Sequence, residues 1–226
     1  MLTQIAPNLW HMQSGMKAAG LSFTSRMTVI RFADGRLWIH SPVRFDETVR
    51  AQLAQLGTVA WIVAPNRAHH LYVKHCKRMF PDAAVYGAPG LAAKRPDIAG
   101  LRTLGDSVEP EWADELEQAW FHGQPFVNEV LWFHKASGTL VACDILQCWS
   151  GPLDWRVALY ARLTGVRKRF DVPRTVRLVT RDKGAAAASA RAVLRWPFTR
   201  VIVAHDAIVE HDAHALVARA FARFGA

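Results

Sequence analysis

Four apolar runs in this chain stop at a residue type that binds metals, and this repetition constrains what the chain can fold into. Arg36-Leu37-Trp38-Ile39 runs into His40, and Val59 to Ala64 runs through Pro65-Asn66 to His69-His70. Thr139-Leu140-Val141-Ala142-Cys143 ends at Asp144, and Arg200 to Ala204 ends at His205-Asp206. Apolar runs this short read as buried strands. In a layered fold, strands whose C-terminal ends share a sheet edge gather such residues into one crevice. Imidazoles with a carboxylate suit a borderline transition metal such as zinc.

The intervening residues predict how the strands connect. Asp34-Gly35 between two apolar runs is a hairpin signal. Asp46 to Leu56 has helical spacing at Val49, Leu53 and Leu56, with Asp46 as N-cap and Gly57 as stop. A strand from Val59 to Ala64, a helix from His70 to Phe80 and a strand from Ala84 to Tyr86 complete a β-α-β-α-β order over residues 36 to 86. Such crossovers imply parallel strands covered by helices. Leu116 to Phe121, Asn128 to Phe133 and Thr139 to Cys143 read as an antiparallel series, with a turn at Lys135 to Gly138. Helices are expected at Trp155 to Leu163, Ala185 to Leu194 and Ala213 to Phe224, with a strand at Val201 to Ala204. The expected class is α/β, a mixed sandwich of two sheets with outer helices.

A chain of 226 residues suits one well-buried domain. No apolar run is long enough to cross a bilayer, and Met1 to Pro7 lacks the basic and apolar segments of a signal peptide. Cys76, Cys143 and Cys148 give no disulfide framework, which suits a cytoplasmic protein. The formal charge is +9, with arginine concentrated in the second half. A basic solvated surface ranks ahead of a nucleic-acid site as its explanation. The tryptophans lie mostly among apolar neighbours, as core residues do. Cys143 alternates away from Asp144 along its strand and reads as core. Glu129, in an otherwise apolar strand, needs a partner such as Arg67.

Three segments carry a family resemblance: Pro65-Asn66-Arg67-Ala68-His69-His70, Tyr86-Gly87-Ala88-Pro89-Gly90-Leu91 with Lys94-Arg95-Pro96-Asp97, and Asn128-Glu129-Val130. They resemble DUF4336, a family placed with the metallo-β-lactamase-like proteins. The resemblance implies a metallo-β-lactamase-like αββα sandwich as a single domain over 1–226, with a divergent helical segment at about 151–183. The superfamily loop has the form H-x-H-x-D-H. Here Pro65 and Arg67 stand at its first two histidines and His69 at its aspartate, while His70 matches. Asp144 matches the bridging aspartate and His205 the last histidine. The ligand set implied is therefore His70, Asp144 and His205, with His69 as the candidate general base. His40 reads as a satisfied, partly buried histidine.

With half of a two-metal motif replaced, the resemblance implies a divergent metallo-hydrolase-like protein with at most one zinc or iron ion, or none. The substrate is an unidentified small molecule. One alternative is a non-catalytic member of the fold that binds a ligand or protein partner. Another is a basic protein acting at nucleic acid or an anionic membrane surface through Arg162 to Arg181. Residues Gly151 to Lys183 directly follow the Asp144 region and are expected to form an amphipathic helical lid over or beside the site, or a homodimer contact.

Overall fold

Asp34 and Gly35 turn the chain as their sequence predicts. In the computed structural model, which describes residues 1–18 and 20–226, Asp34 Oδ1 accepts the Arg36 N–H at 2.9 Å and Gly35 has φ +84°. This turn joins two strands of a seven-stranded sheet. The strands and helices in chain order are β1 (Thr3–Ala6), β2 (Leu9–Ala18), β3 (Leu21–Arg31), β4 (Arg36–His40), α1 (Glu47–Leu56), β5 (Thr58–Ala64), α2 (Val73–Met79), β6 (Ala84–Gly87), α3 (Leu91–Lys94) and β7 (Leu101–Thr103). The sheet order is β1-β2-β3-β4-β5-β6-β7. β3 and β4 pair antiparallel, and β4 through β7 run parallel. The β-α-β-α-β reading of residues 36 to 86 therefore holds.

The second half of the chain holds β8 (Leu116–Trp120), β9 (Val130–His134), β10 (Thr139–Val141), α4 (Trp155–Thr164), α5 (Arg174–Val179), α6 (Lys183–Val193), β11 (Arg200–Ile202), β12 (Ile208–Val209) and α7 (Ala213–Phe221). Its five strands order as β12-β11-β10-β9-β8. β8, β9 and β10 are antiparallel neighbours, and β11 lies parallel to β10. Both sheets are thus mixed.

Residues group into two compact units, Met1–Ser14 with Arg26–Gly105 and Gly15–Ser25 with Asp106–Ala226. Each has its own apolar core. In the first, Val49 and Leu53 of α1 pack with Leu37, Ile39, Ile62 and Val85 from the strands. In the second, Ala186, Ala190 and Val193 of α6 and Val217 and Phe221 of α7 pack with Leu131, Phe133, Leu140 and Val201. A smaller cluster joins Val157 and Ala161 of α4 to Trp149 and Val166, with Leu21 and Phe23 against it. Among the described residues, no helix is long and apolar enough to cross a membrane.

Two differences from the sequence reading have local causes. The helix expected from His70 begins only at Val73: His70 O accepts the Val73 N–H at 3.2 Å in a turn, after Asn66 Oδ1 has taken the N–H groups of Ala68 and His69, both at 2.8 Å. That Asx turn competes with helical hydrogen bonding. Strand β10 ends at Val141, before Cys143; the Ala142 N–H still bonds to Ile202 O at 2.9 Å, and from Cys143 on the backbone N–H groups turn to a side chain described below.

Gly57 fixes the exit of α1. Its N–H bonds to Leu53 O at 3.1 Å, and a Cβ there would lie 2.0 Å from Gly35 O, a backbone atom. Gly57→Ala is expected to lower stability by about 3 kcal/mol, through a forced backbone shift. Removing the α1 cap by Asp46→Ala should lower it by about 1 kcal/mol. Urea unfolding of both variants checks this. Equal losses would show that the Gly57–Gly35 approach constrains nothing.

Candidate metal centre

Strand register brings two of the sequence-predicted residues together. β10 and β11 are parallel, with Leu140 beside Val201 and Val141 beside Ile202. Asp144 and His205 each lie three residues beyond such a pair. They meet at 3.2 Å, Asp144 Oδ1 to His205 Nε2. The other ring nitrogen, Nδ1, lies 2.9 Å from the Thr24 carbonyl oxygen. A carbonyl only accepts, so Nδ1 carries a hydrogen and donates it. In the neutral ring, Nε2 then turns a lone pair toward a carboxylate oxygen. Two acceptors at that distance require a proton or a cation between them. This is the arrangement of a metal-ligating histidine, whose outer nitrogen is fixed by a backbone carbonyl. Nitrogen and carboxylate donors fit zinc or iron.

The imidazole is also clamped by rings. Trp149 stacks on it at 4.9 Å with an interplanar angle of 14°, and Phe23 meets it edge-on at 5.2 Å. The His205 side chain is only 6% exposed. Beside it lies a cavity of about 230 Å³, walled by Leu21, Phe23, Trp149, Val157 and Tyr160 and reached by Asp144 and His205. Its surface is mostly apolar. Tyr160 hydrogen-bonds Thr175 and Gln147, and burial followed by the nearby Asp144 charge pushes its phenol above the ordinary range. The helix expected over residues 155 to 163 therefore borders the Asp144–His205 pair through Val157 and Tyr160.

Glu129 holds Asp144 in place. It is fully buried, and its Oε1 accepts the Cys143 N–H at 2.7 Å. Its Oε2 accepts those of Asp144 at 2.7 Å and Ile145 at 3.1 Å. These bonds end β10. Glu129, Cys143 and Asp144 also bring donor atoms within 4.8 Å of one another. Both Glu129 oxygens already accept backbone hydrogens, so this trio acts as loop scaffolding. Cys143 is buried as expected. Asp206 braces the facing loop. From a left-handed backbone at φ +58°, its carboxylate accepts the Ser150 and Gly151 N–H groups.

His69 and His70 have different chemistry. His70 Nδ1 lies 2.8 Å from Arg95 Nη1. A guanidinium only donates, so Nδ1 accepts and the neutral ring bears its hydrogen on Nε2. Burial, then the Lys94 and Arg95 cations, pull the His70 pKa down to about 4. Arg95 is itself anchored on Asp97, at 2.7 Å and 2.9 Å. His69 Nδ1 instead meets the Ser41 hydroxyl at 2.8 Å, a group able to donate or accept. Ser41 adopts φ +52°, an uncommon backbone for a residue with a side chain. His40 is buried and stacks on Trp38 at 5.5 Å. Burial, with the neighbouring His69, lowers its pKa to about 3.

Sequence reasoning missed Ser41, Arg95 and Thr24, whereas Trp149 was expected among the residues bordering the site. The Lys94-Arg95-Pro96-Asp97 segment did mark the place of Arg95. Nothing in sequence marked a backbone carbonyl such as that of Thr24.

Glu129→Gln keeps the shape but presents an amide N–H₂ to a backbone N–H. It should cost about 3 kcal/mol, near the upper value for a charged hydrogen bond in a buried site. Denaturant unfolding checks this, and a loss within error would show that Glu129 does not hold the loop. The histidines add a pH dependence. The folded-state pKa values of His40 and His70 lie below the ordinary histidine value of 6.5. The unfolded chain therefore binds more protons below pH 6.5, and stability falls as pH drops from about 6.5 toward 4. Urea midpoints across that window should fall less steeply for His40→Gln than for the parent. Parallel curves would show that His40 does not contribute.

A profile of the family described as "Domain of unknown function (DUF4336)" matches residues 7–151. No curated protein matches the sequence. Solved structures do resemble it in fold. A metallo-beta-lactamase from Pontibacter korlensis superposes with a TM-score of 0.66 at 11% identity, covering 100% of this chain and 98% of that one. The DIM-1 metallo-beta-lactamase gives 0.67 at 14% identity, covering 100% and 96%. TMB-1 gives 0.67 at 12% identity, covering 100% and 98%. Identities this low establish fold alone. The two mixed sheets with flanking helices are thus those of the metallo-β-lactamase fold, and the chain belongs to the DUF4336 family.

Proposed function

We propose that this chain is a metallo-hydrolase-like protein with one mononuclear centre that includes Asp144 and His205. The observation that carries this reading is the Asp144 Oδ1–His205 Nε2 pair, 3.2 Å apart, with Nδ1 fixed on the Thr24 carbonyl. Arg95 takes the His70 Nδ1 lone pair, so His70, the third ligand expected from sequence, would have to give up its Nε2 hydrogen to bind a metal. Pro65 and Arg67 offer no donors for a second ion, and Arg67 brings a positive charge.

Zinc or iron bound there supplies Lewis-acid polarisation of a substrate oxygen. The chain's own residues do the rest. Glu129 and the Thr24 carbonyl hold Asp144 and His205 in one orientation. Leu21, Phe23, Trp149 and Val157 keep the adjoining space apolar, which excludes water and favours a substrate with an apolar group beside the polarised oxygen.

Elemental analysis of protein purified without added metal should give one equivalent per chain. Asp144→Asn and His205→Ala should each lower occupancy at least about tenfold. Two equivalents would refute the mononuclear reading. Occupancy unchanged in both variants would refute the Asp144–His205 assignment. Protein that takes up no zinc or iron would favour the non-catalytic reading.

A further inference from the structure

Helix α4 carries an apolar stripe on its outer side. Trp155 is 67% exposed, Leu159 48% and Leu163 64%. They recur every fourth residue, so they form one band along the helix. At about 100° per residue, Arg156 and Arg162 fall on the two edges of that band. Val157, Ala161 and Thr164 are buried on the other side. The patch continues onto α5, where Arg174 Nη1 reaches Leu163 O at 3.3 Å. One turn further, Leu178 is 84% exposed. Beside Leu178 is a cavity of about 390 Å³ lined by Arg174, Arg177, Lys183 and Arg223. Residues 153 to 183 hold nine Arg and Lys against three Asp. Of the three, Asp171 is paired with Arg169 and Arg223, and Asp154 and Asp182 cap α4 and α6.

We propose that the α4–α5 face docks on an anionic phospholipid surface. The leucines and Trp155 enter the interface, and phosphate headgroups meet the arginines of the neighbouring cavity. Exposed leucine and tryptophan between arginines is the pattern of a helix lying in the headgroup layer. Basic residues beside it add attraction to anionic lipid. The two other occupants fit less well. In a two-fold dimer the same patch would face itself, setting like charges together. Nucleic acid would pair with the arginines but give Leu159, Leu163 and Leu178 nothing to bury against.

The test is co-sedimentation of the full chain with large vesicles. One preparation is phosphatidylcholine alone, the other an equimolar mixture with phosphatidylglycerol. The protein should sediment with the mixed vesicles and not with the neutral ones. The triple variant Trp155→Ser, Leu159→Ser, Leu163→Ser should bind at least about tenfold more weakly. Its side chains are already largely exposed, so its thermal midpoint should match the parent's. Arg174→Glu with Arg177→Glu should weaken binding similarly. Absence of sedimentation with anionic vesicles would overturn the proposal. So would equal binding by the triple variant, which would leave charge alone as the cause. Duplex DNA binding that is tighter than vesicle binding and unchanged in the triple variant would assign the face to nucleic acid. A parent dimer that becomes monomeric in the triple variant would assign it to a second copy.

Discussion

A buried carboxylate shapes the site half formed by β10 and β11. Burying an unpaired charge costs several kcal/mol, and Glu129 avoids this by accepting three consecutive backbone N–H groups, those of Cys143, Asp144 and Ile145. Those bonds turn the chain away after Ala142, whose N–H still bonds to Ile202 O. The turn presents Asp144 to His205, whose position follows from the parallel register with β11. The pair thus depends on a residue of β9's approach, in a segment that offers no ligand itself. Charge-assisted bonds of this kind are the stronger class, and they are satisfied without metal.

Much of this was legible in the sequence. The Asp34-Gly35 turn predicted the antiparallel β3–β4 hairpin, and a capped α1 with alternating strands and helices predicted the parallel strands, because each signal is local. The meeting of Asp144 and His205 was legible because each ends an apolar run, and parallel strands in register carry such ends to the same level. The distinction between His69 and His70 was not legible. It rests on which side chain reaches which ring nitrogen, and Arg95 comes from 25 residues away. Trp149 and Trp155 show the same limit. Both sit in similar company in the sequence, yet one stacks on His205 and the other faces outward.

The loop at 65–70 shows how one motif is tied to another. Lys94 Nζ donates to Arg67 O at 2.7 Å, and Arg95 holds both the ring and the carbonyl of His70. Asp97 in turn orients Arg95 and takes Lys74 at 3.2 Å. The Lys94-Arg95-Pro96-Asp97 segment is therefore a clasp on the loop that bears the two histidines.

Helix α4 is occupied on both sides. Its inner side gives Val157 and Tyr160 to the cavity beside Asp144 and His205, and its outer side carries Trp155, Leu159 and Leu163. Were α4 to shift as a rod, the room inside would change with it, and binding outside and binding inside would then be linked reciprocally, by the same factor.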